Sequence, residues 1–220
     1  SSTGLPVFGG NNGSASGYGT KTLEEMLEPA FINNLGNRFM TDFFHLNHGL
    51  PVLKELEVKG EDYTRNIRFP TQLRALSNLA SSFPEIYLTQ NYMMYNNIDL
   101  GAQWTVTGNT ATLTRGTAFQ PIGTSDTSGF SGTFTSDAHL ISGIFIQENN
   151  PYVGLFTYLN GGIVSVVTVT DSWIKGEHTV GAIAGKVGED SIINHCVNEA
   201  TVAAFGAESV IGGIAGENYG

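Results

Sequence analysis

From Tyr87 onward, apolar and polar residues alternate with the two-residue period of a half-buried strand. Tyr92-Met93-Met94-Tyr95 and Ile98-Asp99-Leu100 open this region. Trp104-Thr105-Val106-Thr107 and Ala111-Thr112-Leu113-Thr114 then alternate on either side of Gly108-Asn109, which predicts a β-hairpin. Helical spacing is clearest in two earlier stretches. Near residues 22–30, Thr22 and Glu25 form a capping box and Leu23, Met26 and Leu27 share a face. Near residues 71–80, Thr71 is the expected N-cap, with Leu73, Leu76 and Leu79 on one side and Arg74, Ser77 and Asn78 on others. Residues 31–40 are ambiguous, with a short helix stopped near Gly36 the preferred reading, and 47–53 read as a turn feeding a short strand.

After residue 119 the pattern repeats. Val153-Gly154-Leu155-Phe156, Val180-Gly181-Ala182-Ile183-Ala184-Gly185 and Ile211-Gly212-Gly213-Ile214-Ala215-Gly216 are versions of one phrase. Between them, Gly162-Ile163-Val164-Ser165-Val166-Val167 aligns with Ser191-Ile192-Ile193-Asn194-His195-Cys196 at an offset of about 29 residues. A unit this short cannot bury its own apolar face, so it must stack on its neighbours. The expected fold is therefore all-β: a parallel β-solenoid, β-helix-like, with short helices near 22–30 and 71–80. Leu155, Ile183 and Ile214 would stack in interior rows, while Gly154, Gly181, Gly185, Gly212 and Gly216 would turn corners with positive φ. Cys196 is expected on a strand, pointing inward, with His195 pointing out.

Four segments follow: a linker over 1–20, a closing module over 21–56, a lead-in cap with helix and hairpin over 57–118, and solenoid repeats over 119–220. A charged stretch at 54–68 marks the boundary between the second and third.

Composition narrows the function. Only 14% of residues are charged and the net charge is −10, so ten basic residues cannot form a phosphate-tracking surface. Nucleic acid and anionic bilayers are disfavoured partners. No run of about 18 apolar residues exists, so no membrane span is expected. The single cysteine excludes an intrachain disulfide.

The order and spacing of these phrases resemble the GLUG-motif family, named for a Gly-Leu-apolar-Gly phrase. Gly154-Leu155-Phe156 matches it except at Thr157, and the phrases at 181–185 and 212–216 match it in turn. Phe119 to Gly123, Phe130 to Phe134 and His139 to Ile144 are similar to the family's opening coil, and Ile193-Asn194-His195-Cys196 to its Asn-Cys strand. Gly17 to Met26, followed by Asn47 to Leu53, looks like the tail that closes such an array. The resemblance implies a repeat module of a large bacterial surface or secreted protein, adhesin-like, with the expected location extracellular or at the cell surface. The order, tail first and opening coil second, suggests a window from a longer tandem array. The last coil's unpaired edges near 210–220 are expected to be covered by further repeats, by the tail, or by another molecule.

Catalytic chemistry is not legible. No nucleophile elbow has the required strand-to-helix context. The carboxylates after residue 99 do not recur at one repeat position beside a basic partner. His45, His48 and Asp42 lie close in sequence but offer too few ligands for a metal site. No cofactor is expected, although Asn-, Asp- and Gly-rich turns such as Glu189-Asp190 and the region of Asp126 leave room for a structural calcium. Tyr152, Tyr158 and Trp173 are the candidate ligand-binding residues, because exposed aromatic rings offer flat faces to a sugar. Packing of Trp173 over a corner is the preferred alternative for that residue. The expected function is a non-catalytic structural or adhesive module binding a host or matrix protein or glycan. The alternative is an accessory carbohydrate- or substrate-binding region of a larger polysaccharide-active or proteolytic enzyme.

Overall fold

The computed structural model describes residues 65–123 and 129–220, together with the backbone of Phe39–Met40 and Val52–Leu53. The chain divides into two units, Ser1–Glu61 and Asp62–Gly220. In the first, strands β1 (Phe39–Met40) and β2 (Val52–Leu53) pair antiparallel. Phe39-Met40 is thus extended, and the strand expected at 47–53 is present at its end. The helices expected near 22–30 and 31–36, the 1–20 linker, and His45, His48 and Asp42 lie outside the described residues.

The second unit is mostly β. It begins with β3 (Arg65–Ile67), helix α1 (Pro70–Ser82) and a single turn α2 (Pro84–Tyr87). Strands β4 (Tyr92–Met94) and β5 (Ile98–Asp99) precede the hairpin β6 (Gln103–Thr107) and β7 (Thr110–Arg115). The remainder comprises β8 (Thr133–Ser136), β9 (Leu140–Ser142), β10 (Phe145–Gln147), β11 (Tyr152–Val153) and β12 (Phe156–Leu159). Next come β13 (Ile163–Ser165), β14 (Thr168–Gly176), β15 (Thr179–Val180) and β16 (Ala184–Val187). The last are β17 (Ile192–Asn194), β18 (Val197–Ala204), β19 (Val210–Ile211) and β20 (Ala215–Asn218).

Among the described residues of this unit, every strand pairing is parallel except that of the hairpin. Small parallel sheets result, with orders β17-β13-β8-β4-β3, β10-β14-β9-β5 with β18 also on β14, β11-β15-β19, and β12-β16-β20. Successive passes of the chain visit these sheets in the same sequence. The pairings join the residues that the recurring phrase aligns. Val153 pairs with Val180, and Val180 in turn with Ile211. Val164 pairs with Ile193, the partner that the sequence alignment gives it.

The same sheet continues back through β4 to β3, well before residue 119. There the spacing between partners widens, since Tyr92 pairs with Phe134 across a stretch that includes the whole hairpin. The excess is close to the length of the hairpin, which is an excursion within one pass. This stacking puts like residues in rows. Tyr92, Phe134 and Val164 are register partners, as are Ile98, Ile141 and Val169, and all six are fully buried. Four rings meet between the sheets. Phe156 lies 4.8 Å from Phe130 and 5.4 Å from Phe134, and Tyr92 lies 6.2 Å from Phe130.

Helix α1 is capped two residues earlier than its sequence suggests, at Phe69 instead of Thr71. Pro70 occupies the first turn, where its fixed φ is an advantage and its missing N–H costs nothing. Thr71 therefore lies inside the helix, and Gln72 does the capping: its Oε1 accepts the N–H groups of Arg68 at 2.7 Å and Phe69 at 3.1 Å. Leu73 and Leu76 are fully buried as expected. Arg74 is not free in solvent; its guanidinium donates to the carbonyls of Leu100, Thr117 and Ala118.

The repeat glycines do not turn corners with positive φ. Among the described residues, positive φ is found at other glycines and at five non-glycine residues. Gly154, Gly181, Gly185, Gly212 and Gly216 are required for close approach instead. A Cβ on Gly154 would lie 2.7 Å from the carbonyl oxygen of Gly181, and one on Gly185 would lie 2.7 Å from the carbonyl carbon of Tyr152. In three successive passes the corresponding corner is turned by a residue with a side chain: Ala138 (φ 58°), Val166 (φ 59°) and His195 (φ 51°). They follow β8, β13 and β17 respectively. Cys196 accordingly stands at this corner and not within a strand. It is half-buried, its thiol donating to the Asn194 carbonyl at 3.4 Å, while His195 is exposed.

Left-handed backbone is costly for a β-branched residue. Val166→Gly is expected to stabilise the unit by about 1 kcal/mol after its half-buried side chain is forfeited. The check is the urea midpoint at unchanged m; a lower midpoint would show that packing outweighs the strain.

In β17 to β20, pairing is made on one side only among the described residues. Side chains that continue the interior rows, such as Ile193 and Val202, are only half-buried, and Ile211 is half-exposed.

Candidate functional site

The parallel register places outward-facing residues of successive passes side by side. In the sheet β12-β16-β20, Tyr158 pairs with Lys186 and Lys186 with Glu217. Adjacent strands are about 4.8 Å apart, so these three side chains form one row on the outer face. Tyr152, from β11, flanks the row on one side, and Tyr219 follows β20. The Lys186 ammonium lies 5.0 Å from the Tyr152 ring centroid, 5.3 Å from that of Tyr158 and 5.7 Å from that of Tyr219. All three are within cation–π range.

Glycines make this arrangement fit. A Cβ on Gly129 would come within 2.6 Å of the Tyr158 ring, and one on Gly188 within 2.5 Å of its hydroxyl. A Cβ on Gly185 would meet the Tyr152 backbone and Cβ. Lys186 donates to the Tyr152 hydroxyl at 3.5 Å. Its slight burial pulls its pKa down. The hydrogen bond to Tyr152 and the charges of Tyr152, Tyr158 and Glu217 outweigh that and hold it above the ordinary lysine value. Glu217 also accepts from the Thr179 hydroxyl at 3.4 Å. Beside the row, Tyr158, Asn160, Lys186, Gly188, Glu189 and Tyr219 line a shallow cleft of about 310 Å³.

Tyr152 and Tyr158, both sequence candidates, therefore meet around a lysine that local sequence reading passed over. The repeat itself carried the signal, because one period leads from Tyr158 to Lys186 and the next leads on to Glu217. Trp173 does not join them. It is 5% exposed, on the outer face of β14 beneath the hairpin, packed with Ala102, Ala111, Phe145, Trp104 and Leu113. Lys175, on the same strand and likewise buried, donates to the carbonyl of Asn109 at the hairpin tip. The hairpin covers the Trp173 ring, so this residue packs, in keeping with the reading preferred for it, although beneath the hairpin and not over a corner.

The remaining candidates are dispersed. Burial pushes the Cys196 thiol up, against smaller opposing hydrogen bonds from the backbone of Val167 and Val166, so it is protonated at neutral pH. Burial likewise raises the Glu148 carboxyl, partly offset by its hydrogen bond from Asn150. Glu189 and Asp190 are exposed in a turn, and Asp126 lies outside the described residues. Among the described residues, no three His, Cys, Asp or Glu side chains lie close enough to share a metal ion. No helix among them is long and apolar enough to cross a membrane. Compared with known proteins, the chain matches no family model, no curated sequence and no solved structure.

Proposed function

We propose that this chain is a non-catalytic adhesive module whose stacked passes constitute a parallel β-solenoid of the GLUG type, working at a bacterial cell surface or in secretion. The observation that carries the reading is the regular parallel register, which follows the period of the recurring phrase and holds apolar rows inside it. Such a stack spends its interior on packing and offers its outer faces for recognition. Functional groups must then act from the outward positions, where neighbouring passes present side chains in rows.

A second reading, an accessory carbohydrate-binding region of a larger enzyme, is favoured by one observation: three tyrosines, a lysine and a glutamate converge on one outer face. Both readings expect binding without turnover by this chain. The test is to present the full chain to immobilised glycans and matrix proteins and to follow the soluble counterparts for cleavage. Saturable retention that is lost on heat unfolding, with no cleavage products, is the expected result. Cleavage of a glycan or peptide, or no retention on any surface, would overturn the adhesive reading.

A further inference from the structure

We propose that the cleft beside Tyr158, Lys186 and Tyr219 is a binding site for a neutral pyranose sugar at the end or within a glycan chain. The proposal deepens the adhesive reading and rests on it. Three features of the cleft select the ligand class. The first is aromatic: of the two rings in the cleft, Tyr219 is 62% exposed and Tyr158 half-buried, so ring surface remains available to the C–H face of a sugar. The second is the mixture of polar groups. Lys186 only donates, Glu189 only accepts, and Asn160 and the hydroxyls of Tyr158 and Tyr219 do both. Adjacent hydroxyls of a pyranose need donors and acceptors in that kind of mixture. A hydrocarbon ligand would leave them unpaired, at a cost. The third is charge. An anionic sugar would meet Glu189 in the cleft, with Glu217 next to Lys186 in the row, on a chain of net charge −10, and a cation would meet Lys186, which already occupies the space between the rings.

Size and support agree with this choice. About 310 Å³ lies at the lower end of the range for small-molecule sites, enough for one ring and part of the next. Tyr158 is held by Gly129 and Gly188 on either side of its ring and donates to Asn160 Oδ1 at 3.4 Å. Lys186 is held by its three aromatic neighbours. The platform is thus formed before a ligand arrives, which reduces the ordering cost of binding.

The test uses the full chain and calorimetric titration with neutral tetrasaccharides of glucose, galactose, mannose, xylose and N-acetylglucosamine, their uronate counterparts, and choline. At least one neutral tetrasaccharide is expected to bind, and the uronates at least tenfold more weakly. Tyr219→Ala removes an exposed ring and should leave stability unchanged while weakening binding at least tenfold. Lys186→Gln should weaken it severalfold. Absence of binding by every neutral tetrasaccharide at about 10 mM, where even an affinity of only ~3 kcal/mol would register, preference for uronates or choline, or an unchanged affinity in Tyr219→Ala would overturn the proposal. Retention of Tyr219→Ala on the immobilised surfaces at wild-type strength would overturn the cleft assignment while leaving the adhesive reading intact. Cleavage of a bound tetrasaccharide would overturn the non-catalytic reading alone.

Discussion

Phe156→Ala is expected to lower stability by about 3–5 kcal/mol, the range for removing a fully buried aromatic side chain. Phe156 is fully buried, and its ring contacts two others supplied by different parts of the stack. Phe134 comes from β8, in the sheet that also holds Val164. Phe130 is bridged to Leu159, in the same strand as Phe156. The 74° interplanar angle between Phe134 and Phe156 is an edge-to-face contact, and each such pair adds about 0.5–1.5 kcal/mol beyond area burial. Alanine would leave a cavity lined by side chains fixed to paired backbone, so collapse into it is restricted. Phe156→Leu keeps most of the volume and should cost less than half as much. Urea unfolding followed by far-UV circular dichroism distinguishes the two. A loss below about 1 kcal/mol for the alanine variant would mean that the aromatic cluster is not a determinant of stability.

The same cluster shows why much of this fold was legible. Apolar residues recur with the period of the phrase because each interior row needs an apolar member in every pass. That requirement is local in sequence terms, so three copies of a phrase reveal it. The hairpin was legible for a similar reason, since Gly108-Asn109 between alternating segments fixes both turn and register.

What stayed hidden depends on contacts between passes. The lead-in at Tyr92 belongs to the stack, but the hairpin excursion stretches its distance in sequence from Phe134 and conceals the period. Trp173 resembles an exposed strand aromatic until that excursion folds over it. The candidate site was half legible. Tyr152 and Tyr158 are recognisable as surface aromatics, whereas Lys186 and Tyr219 gain meaning only when the third dimension places them beside those rings. Corners were misread because positive φ was assigned to glycine by default. Here Ala138, Val166 and His195 adopt it, and the surrounding register outweighs the local preference.

The glycines of the recurring phrase give the second large effect. Gly181→Ala is expected to cost about 3 kcal/mol, the upper end of the range for overpacking. Its Cβ would fall against the carbonyl oxygen of Ala184, and 2.7 Å from both the Cα of Ala215 and the amide nitrogen of Gly216. All three are backbone atoms of paired strands, so no rotamer change can relieve the contact. Relief requires β16 to move away from β20, which breaks parallel hydrogen bonds on one side of the pass. Gly213 provides the control. Its Cβ would meet nothing nearer than the Asn198 side-chain nitrogen at 3.9 Å, and its φ is not left-handed. Gly213→Ala should therefore be neutral or stabilise by up to about 0.5 kcal/mol, through the reduced freedom of the unfolded chain. The two substitutions remove the same conformational freedom and add the same methyl group, so their difference isolates the steric role. Equal urea midpoints for the two variants would restore backbone freedom as the reason for the phrase; a gap of about 3 kcal/mol would assign it to the close approach of successive passes.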